Sequence, residues 1–220
     1  MYLRAGMNIK RFMCNPLQEN CYVVSDDSQE CVIIDCGAFY QNEKEAISDY
    51  ITENRLKPVH LIATHGHLDH NFGNADIFSK YGLKVEVCSE DDYLIEHLPE
   101  QGLNMFGMQI SEDQPAVGRW LKDGDTIQFG NHTLTVLQTP GHTPGSALLY
   151  CQQEYTVFSG DTLFRMSIGR TDFDGGSWSQ MEQSLRNVVA RLPKETIVLS
   201  GHGPQSTIAD ELMYNPYLRG

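Results

Sequence analysis

A short apolar run, Leu61-Ile62-Ala63, stops at Thr64 and gives way to His65-Gly66-His67-Leu68-Asp69-His70. The run reads as a buried strand that ends in a turn on Gly66. Strand alternation puts His65 and His67 on one side of a nearly extended segment. Asp69 and His70 reach a neighbouring point from the next turn. Three imidazoles and a carboxylate at this spacing form a ligand pattern for one metal ion, with a second beside it. Ordinary surface histidines do not cluster like this at a strand end.

The rest of the chain alternates strands and helices. Strands are expected over residues 8–14, 20–25 and 31–34, the last ending at Asp35-Cys36-Gly37. An Asp placed there is either a turn former or an acceptor that orients a ligand histidine. A helix is expected over 43–56, ended by Pro58, and another over 74–81, stopped by Gly82. A strand over 84–88 and a short helix over 91–98 complete a layered α/β pattern. Residues 99–118, punctuated by Pro99, Gly102, Gly107, Pro115 and Gly118, break it. That stretch reads as a surface loop with core anchors, or else as an apolar lid. Strands then follow over 126–129, 132–138, 147–151 and 155–159, with Gly130-Asn131 as a hairpin turn. A helix over 178–192, a strand over 196–199 and a closing helix over 207–214 end the chain. No low-complexity linker divides it, so residues 1–220 are expected to form one domain. Residues 1–6 are expected to be a loose extension.

Three more loops at expected strand ends carry ligand chemistry. They hold His142 in a Pro/Gly frame, Asp161 after Gly160, and His202 after Gly201. If the strands share one sheet edge, these converge with His65, His67, Asp69 and His70. The remaining histidines, His60, His97 and His132, are expected to be ordinary.

The formal net charge of −13 excludes nucleic acid and anionic membrane surfaces as expected partners. No stretch approaches transmembrane length. The six cysteines form no Cys-x-x-Cys pair and lie mostly in apolar runs, so reduced, buried thiols in a cytosolic protein are expected.

The motifs Thr64-His65-Gly66-His67-Leu68-Asp69-His70, Gly141-His142, Gly160-Asp161 and Gly201-His202 resemble those of the metallo-β-lactamase superfamily. Residues 159–164 and Ser167-Ile168-Gly169-Arg170-Thr171-Asp172-Phe173 resemble its short glyoxalase II-like branch, the hydroxyacylglutathione hydrolases. The resemblance implies an αββα sandwich with two divalent metal ions, zinc first, with iron or manganese admitted. It places His65, His67 and His142 on the first metal and Asp69, His70 and His202 on the second. Asp161 bridges both, so Asp69 and Asp161 carry the catalytic role. A metal-bridging hydroxide would attack the carbonyl of a 2-hydroxyacyl thioester such as S-lactoylglutathione. Asp35 falls at the family position of an acceptor behind the ligands. Cys36 stands where the family usually has Pro, so its thiol lies near the metals or packs. Arg170 and Asp172 either orient substrate or, as expected here, pair across their loop. The family's glutathione-gripping basic C-terminal segment has no counterpart before Gly220. The hydrolase chemistry therefore carries over further than the glutathione specificity.

Competing readings remain at this level. A mononuclear-iron persulfide dioxygenase resembles the same pattern, including Gly-Arg-Thr-Asp-Phe. Hydrolysis of another ester, a lactone or a phosphodiester uses a similar site. A non-catalytic binding module is disfavoured by the complete ligand set.

Overall fold

The structure, a computed structural model, describes residues 6–107, 109–110 and 114–219. The expected N-terminal extension lies, apart from Gly6, outside the described residues. Strand pairing begins where Asn8 meets Ser25.

Two six-stranded sheets stack face to face. The first contains β1 (Asn8–Cys14), β2 (Glu19–Ser25), β3 (Glu30–Ile34), β4 (Lys57–Ile62), β5 (Val85–Cys88) and β6 (Arg119–Leu121), in that order across the sheet. β1, β2 and β3 are antiparallel, whereas β3 through β6 run parallel. The second comprises β7 (Thr126–Phe129), β8 (His132–Gln138), β9 (Ala147–Cys151), β10 (Thr156–Gly160), β13 (Ile197–Ser200) and β14 (Ser206–Thr207). Its order is β14-β13-β10-β9-β8-β7. The short pair β11 (Leu163–Phe164) and β12 (Ser167–Ile168) stands apart.

Side-chain alternation builds the layers. Cys31 and Ile33 of β3 face the core beneath α1 (Gln41–Glu53) and α2 (Asn74–Tyr81), with Ile47, Ile51 and Ile77. Val32 and Ile34 face the core between the sheets, with Phe129, Val136 and Leu149. Leu148 and Tyr150 of β9 face a third core, under Met181 and Leu185 of α5 (Trp178–Asn187) and Ile208 of α6 (Ile208–Tyr214). Three cores between four layers make this the expected αββα sandwich. Near-continuous apolar runs in the central strands follow from burial on both faces.

Topology sets the site edge. β3, β4 and β5 are parallel, so their C-terminal ends lie on one edge. β8 and β10 are both antiparallel to β9, and β13 is parallel to β10, so these three also point one way. The two edges are stitched together. Ala147 N–H donates to Thr64 O at 2.9 Å, and Asn20 N–H to Gly201 O at 2.7 Å. The Tyr22 hydroxyl donates to Ser200 O at 2.8 Å.

Several boundaries differ from expectation. α1 begins two residues early because the Glu43 carboxylate accepts from Phe39, Tyr40 and Asn15 N–H groups, capping it. The helix expected over 178–192 leaves α geometry at Val188, since Asn187-Val188-Val189 are poor helix formers. The expected loop over 99–118 is helical at its start. The helix over 91–98 is instead a short turn leading into α3 (Asp92–Glu96) and α4 (Leu98–Phe106). Pro99 sits in the first turn of α4, where its missing N–H costs nothing. Met108 and residues 111–113 of that loop lie outside the described residues. All six cysteines are buried and free, and burial pushes the Cys31 and Cys88 thiols up to about 12. No helix among the described residues is long and apolar enough to cross a membrane.

The sandwich end away from Asp35 is closed by Asp26. Its buried carboxylate accepts from Ser28 N–H at 2.9 Å and Asn131 N–H at 2.6 Å, and lies 3.1 Å from His132 Nδ1. Burial alone would raise its pKa, but hydrogen bonds from Ser28, Asn131 and His132 outweigh burial and hold it at about 2. A folded pKa below the unfolded value stabilises fully above the latter and is lost as pH falls through the former. Asp26→Asn is therefore expected to cost about 2 kcal/mol at neutral pH in chemical denaturation. The gap between variant and parent should close as the pH drops from about 4 to 2. A gap unchanged across that window would refute the assignment.

Candidate metal centre

The loops at this edge bring all seven expected ligand side chains together. His65, His67 and His142 present ligand atoms within 4.8 Å of one another. Asp69, His70 and His202 do the same, as do His65, His70 and Asp161. Asp161 stands between the first two groups. Its Oδ1 lies 3.3 Å from His70 Nε2, and its Oδ2 lies 3.6 Å from His142 Nε2 and 3.7 Å from His202 Nε2. His202 Nε2 is 3.2 Å from Asp69 Oδ2. His60, His97 and His132 belong to none of these groups.

The surroundings fix which ring nitrogen carries the proton. His142 Nδ1 faces Arg170 O at 2.7 Å, and His202 Nδ1 faces Leu17 O at 3.1 Å. A carbonyl only accepts, so each Nδ1 donates and Nε2 faces the cleft, where that of His142 lies 2.9 Å from His67 Nδ1. His70 Nδ1 lies 3.1 Å from Asp35 Oδ2, an acceptor as well. The Thr64 hydroxyl donates to the same Oδ2 at 2.8 Å, so its lone pairs can accept from His65 Nδ1 at 3.1 Å. Asp35 thus orients His70 directly and His65 through Thr64, while its other oxygen accepts from Thr64 N–H at 2.7 Å. Its backbone is left-handed, φ 53°, a conformation Asp tolerates better than most residues and one found at functional turns. Gly160 adopts φ 46°, and a Cβ there would sit 2.2 Å from Thr64 Oγ1. Only glycine lets the Asp161 loop approach this chain of hydrogen bonds.

Electrostatics favours a cation in the cleft. Burial, then repulsion from His70, His142 and His67, holds the His65 imidazole well below its usual range. His67 is lowered to about 4, by burial first and by His142 next. Both rings therefore keep free lone pairs at neutral pH. Burial would lower His70 too, but Asp161, Asp69 and Asp35 outweigh it and raise it. The carboxylates hold positive charge at that point, which a metal ion would supply instead. The buried His65 Nε2, His70 Nε2 and Asp161 Oδ1 have no hydrogen-bond partner. Buried polar atoms are rarely left so, and their convergence fits a metal ion.

Arg170 follows the pairing expectation: its guanidinium donates to both Asp172 oxygens, at 2.6 and 2.7 Å, and stacks on Phe173. Its contribution to the cleft is the backbone carbonyl under His142. Cys36 takes the packing alternative, with its thiol in the core beneath α1 and against Gly73. Sequence reading passed over Asp91 as a helix start. Its buried carboxylate accepts from Gly66 N–H at 2.8 Å, Thr143 Oγ1–H at 2.6 Å and Gly145 N–H at 2.6 Å. It ties the His65–His70 loop to the His142 loop. The available signal was its place just past β5, on the edge where the ligand loops lie. Glu19, fully buried beside His70, also escaped notice, and burial raises its carboxyl well above the usual range. Asp91→Ala leaves three donors unsatisfied and is expected to cost about 3 kcal/mol in denaturant unfolding. A loss below about 0.5 kcal/mol would show that the loops hold together without it.

A family model described as the metallo-beta-lactamase superfamily matches residues 14–202. The hydroxyacylglutathione hydrolase GloC of Haemophilus influenzae is 34% identical over 214 residues, covering 96% of this chain and 98% of that protein. A crystal structure of the BLEG-1 B3 metallo-beta-lactamase superposes with a TM-score of 0.88 at 35% identity, covering 97% of this chain and 100% of that one. A crystal structure of TTHA1623 in a di-iron-bound form gives 0.84 at 34% identity, covering 95% and 100%.

Proposed function

This chain belongs to the metallo-β-lactamase superfamily, and on that premise we propose that it is a metal-dependent hydrolase of 2-hydroxyacyl thioesters such as S-lactoylglutathione. The observation that carries this reading is the position of Asp161 between two ligand groups, with buried acceptors of both groups unpartnered. His65, His67 and His142 would hold one divalent ion, and Asp69, His70 and His202 a second, with Asp161 reaching both. Zinc suits the imidazoles; the carboxylates admit iron or manganese, and iron occupies the di-iron form of TTHA1623. Bound there, two such ions supply an acidified water and a polarised carbonyl.

The protein's own groups do the positioning. Asp35, Thr64 and the carbonyls of Arg170 and Leu17 lock the imidazole tautomers before any ion arrives. Asp69 and Asp161 place negative charge beside Nε2 of His70 and of His202. The Phe173 ring lies edge-on to His67, 5.5 Å between centroids, and shields that flank from water. The near full-length similarity to a hydroxyacylglutathione hydrolase supports a thioester substrate.

Elemental analysis of protein purified without added metal or chelator is expected to find about two metal ions per chain, as a two-metal hydrolase requires. S-lactoyl thioesters should then be hydrolysed. One iron per chain, with oxygen uptake on a persulfide, would replace this reading with the dioxygenase. Asp161→Ala is expected to lower metal content and to cut turnover by more than about 100-fold. Full activity with both metals retained would remove Asp161 from its bridging role.

A further inference from the structure

A cavity of about 430 Å³ opens beside the metal centre, with His67 on its inner wall. Its sides come from α3, α4 and the loop after Arg170. Tyr93, Leu94 and Phe173 make it apolar near His67. Among the described residues its lining carboxylates are Glu100 and Asp174, both exposed at its mouth, and His97 and Asn104 line it as well. No lysine or arginine lines it among the described residues.

The sequence extends this observation beyond the lining. Residues 98–107, the described part of the α4 wall, contain Glu100 and no Lys or Arg. Residues 171–177 contain no Lys or Arg, and of their two carboxylates Asp172 is paired with Arg170, which leaves Asp174. Arg170 stacks on Phe173 at 4.1 Å, but its Nε and Nη2 are engaged by Asp172, which balances its charge. The Gln101 carboxamide is spent as well, accepting from Leu68 N–H and donating to Gly66 O and Leu94 O. It ties α4 to the metal loop, so this wall is fixed rather than free to bring another group in.

A thioester seated with its carbonyl at the metals extends its acyl or its thiol arm past His67 into this cavity. The longer arm, the thiol half, has the greater need of it. A carboxylate at the end of that arm meets two carboxylates and the His97 imidazole, with no lysine or arginine among the described lining. A cationic end meets opposite charge at the mouth and the faces of Tyr93 and Phe173 below it. We propose that the enzyme selects thioesters whose thiol half ends in a cation, accepts neutral ones less well, and turns over those bearing carboxylates least well, so that S-lactoylglutathione is hydrolysed but is a slow member of the substrate class. This rests on the thioester-hydrolase reading above.

The test compares S-lactoyl esters of thiocholine, N-acetylcysteamine and 3-mercaptopropionate, with S-lactoylglutathione, on metal-replete protein at pH 8. Thiols of similar length then differ in terminal charge: positive, neutral or negative. The thiocholine ester is expected to exceed the mercaptopropionate ester in kcat/KM by about tenfold or more at low salt, shrinking at high salt. Non-hydrolysable thioethers of the same thiols should follow the same order in Kd by calorimetry. The Glu100→Gln/Asp174→Asn double variant should bring the ratio to within about twofold. Hydrolysis of all four at equal rates, or a preference for glutathione or mercaptopropionate, would overturn the charge selectivity and leave the hydrolase reading standing. No turnover of any ester, with the thioether order intact, would overturn the hydrolase reading and leave the selectivity of the cavity standing. Neither turnover nor ordered binding would overturn both.

Discussion

Four imidazoles and one carboxylate of the cleft, His65, His67, His70, His142 and Asp69, are each no more than 6% exposed. Removing that many polar groups from water is costly unless each finds a partner. The outward nitrogens of His65, His142 and His202 find theirs at Thr64, Arg170 O and Leu17 O, and that of His70 faces Asp35 as an ion pair. Several of the inward atoms have none. His65 Nε2, His70 Nε2 and Asp161 Oδ1 are left without hydrogen bonds, and the opposed shifts of His65 and His70 follow from burial among imidazoles at the one and, at the other, from burial outweighed by the carboxylates of Asp161, Asp69 and Asp35. The architecture around the cleft serves to hold this arrangement against its own repulsion.

Each ligand loop leaves the C-terminal end of a strand, and those strands point one way within each sheet. The sheets then have to be locked in register, since a small slide would separate Asp69 and His70 on one from Asp161 and His202 on the other. The bonds from Ala147 to Thr64, from Asn20 to Gly201 and from Tyr22 to Ser200 do this at the site edge. Asp26 and His132 do it at the far end. Asp91 adds a tie between the loops themselves and also begins the segment that walls the cavity, so metal positioning and substrate space share one anchor.

Parts of this were legible in the residues. The helix over 74–81 was bounded by Gly82, whose left-handed conformation ends it, and the hairpin around Gly130-Asn131 by its turn chemistry. The clustered histidines announced a metal centre, and Gly141, Gly160 and Gly201 marked the loops that complete it. The start of the stretch over 99–118 was misread because its glycines and prolines suggested a loop, whereas burial of Leu98 and the clamp on Gln101 stabilise a helix as far as Phe106 despite Gly102. β6 escaped because three residues carry too little periodicity, and only pairing with β5 makes them a strand.

The sequence by itself determined the local pattern: which side chains carry ligand chemistry, that they follow strands, and that the apolar runs alternate to feed buried layers. These are local properties, set by residue type and spacing. The tertiary structure alone decided how Asp161 stands between two ligand groups, why Cys36 packs instead of facing the cleft, and what Asp91 holds together. It also decided that the cavity beside His67 is apolar inside and acidic at its mouth. Each depends on residues distant in the chain meeting across two sheets, and spacing along a strand carries no information about which loops face one another once the sheets have stacked.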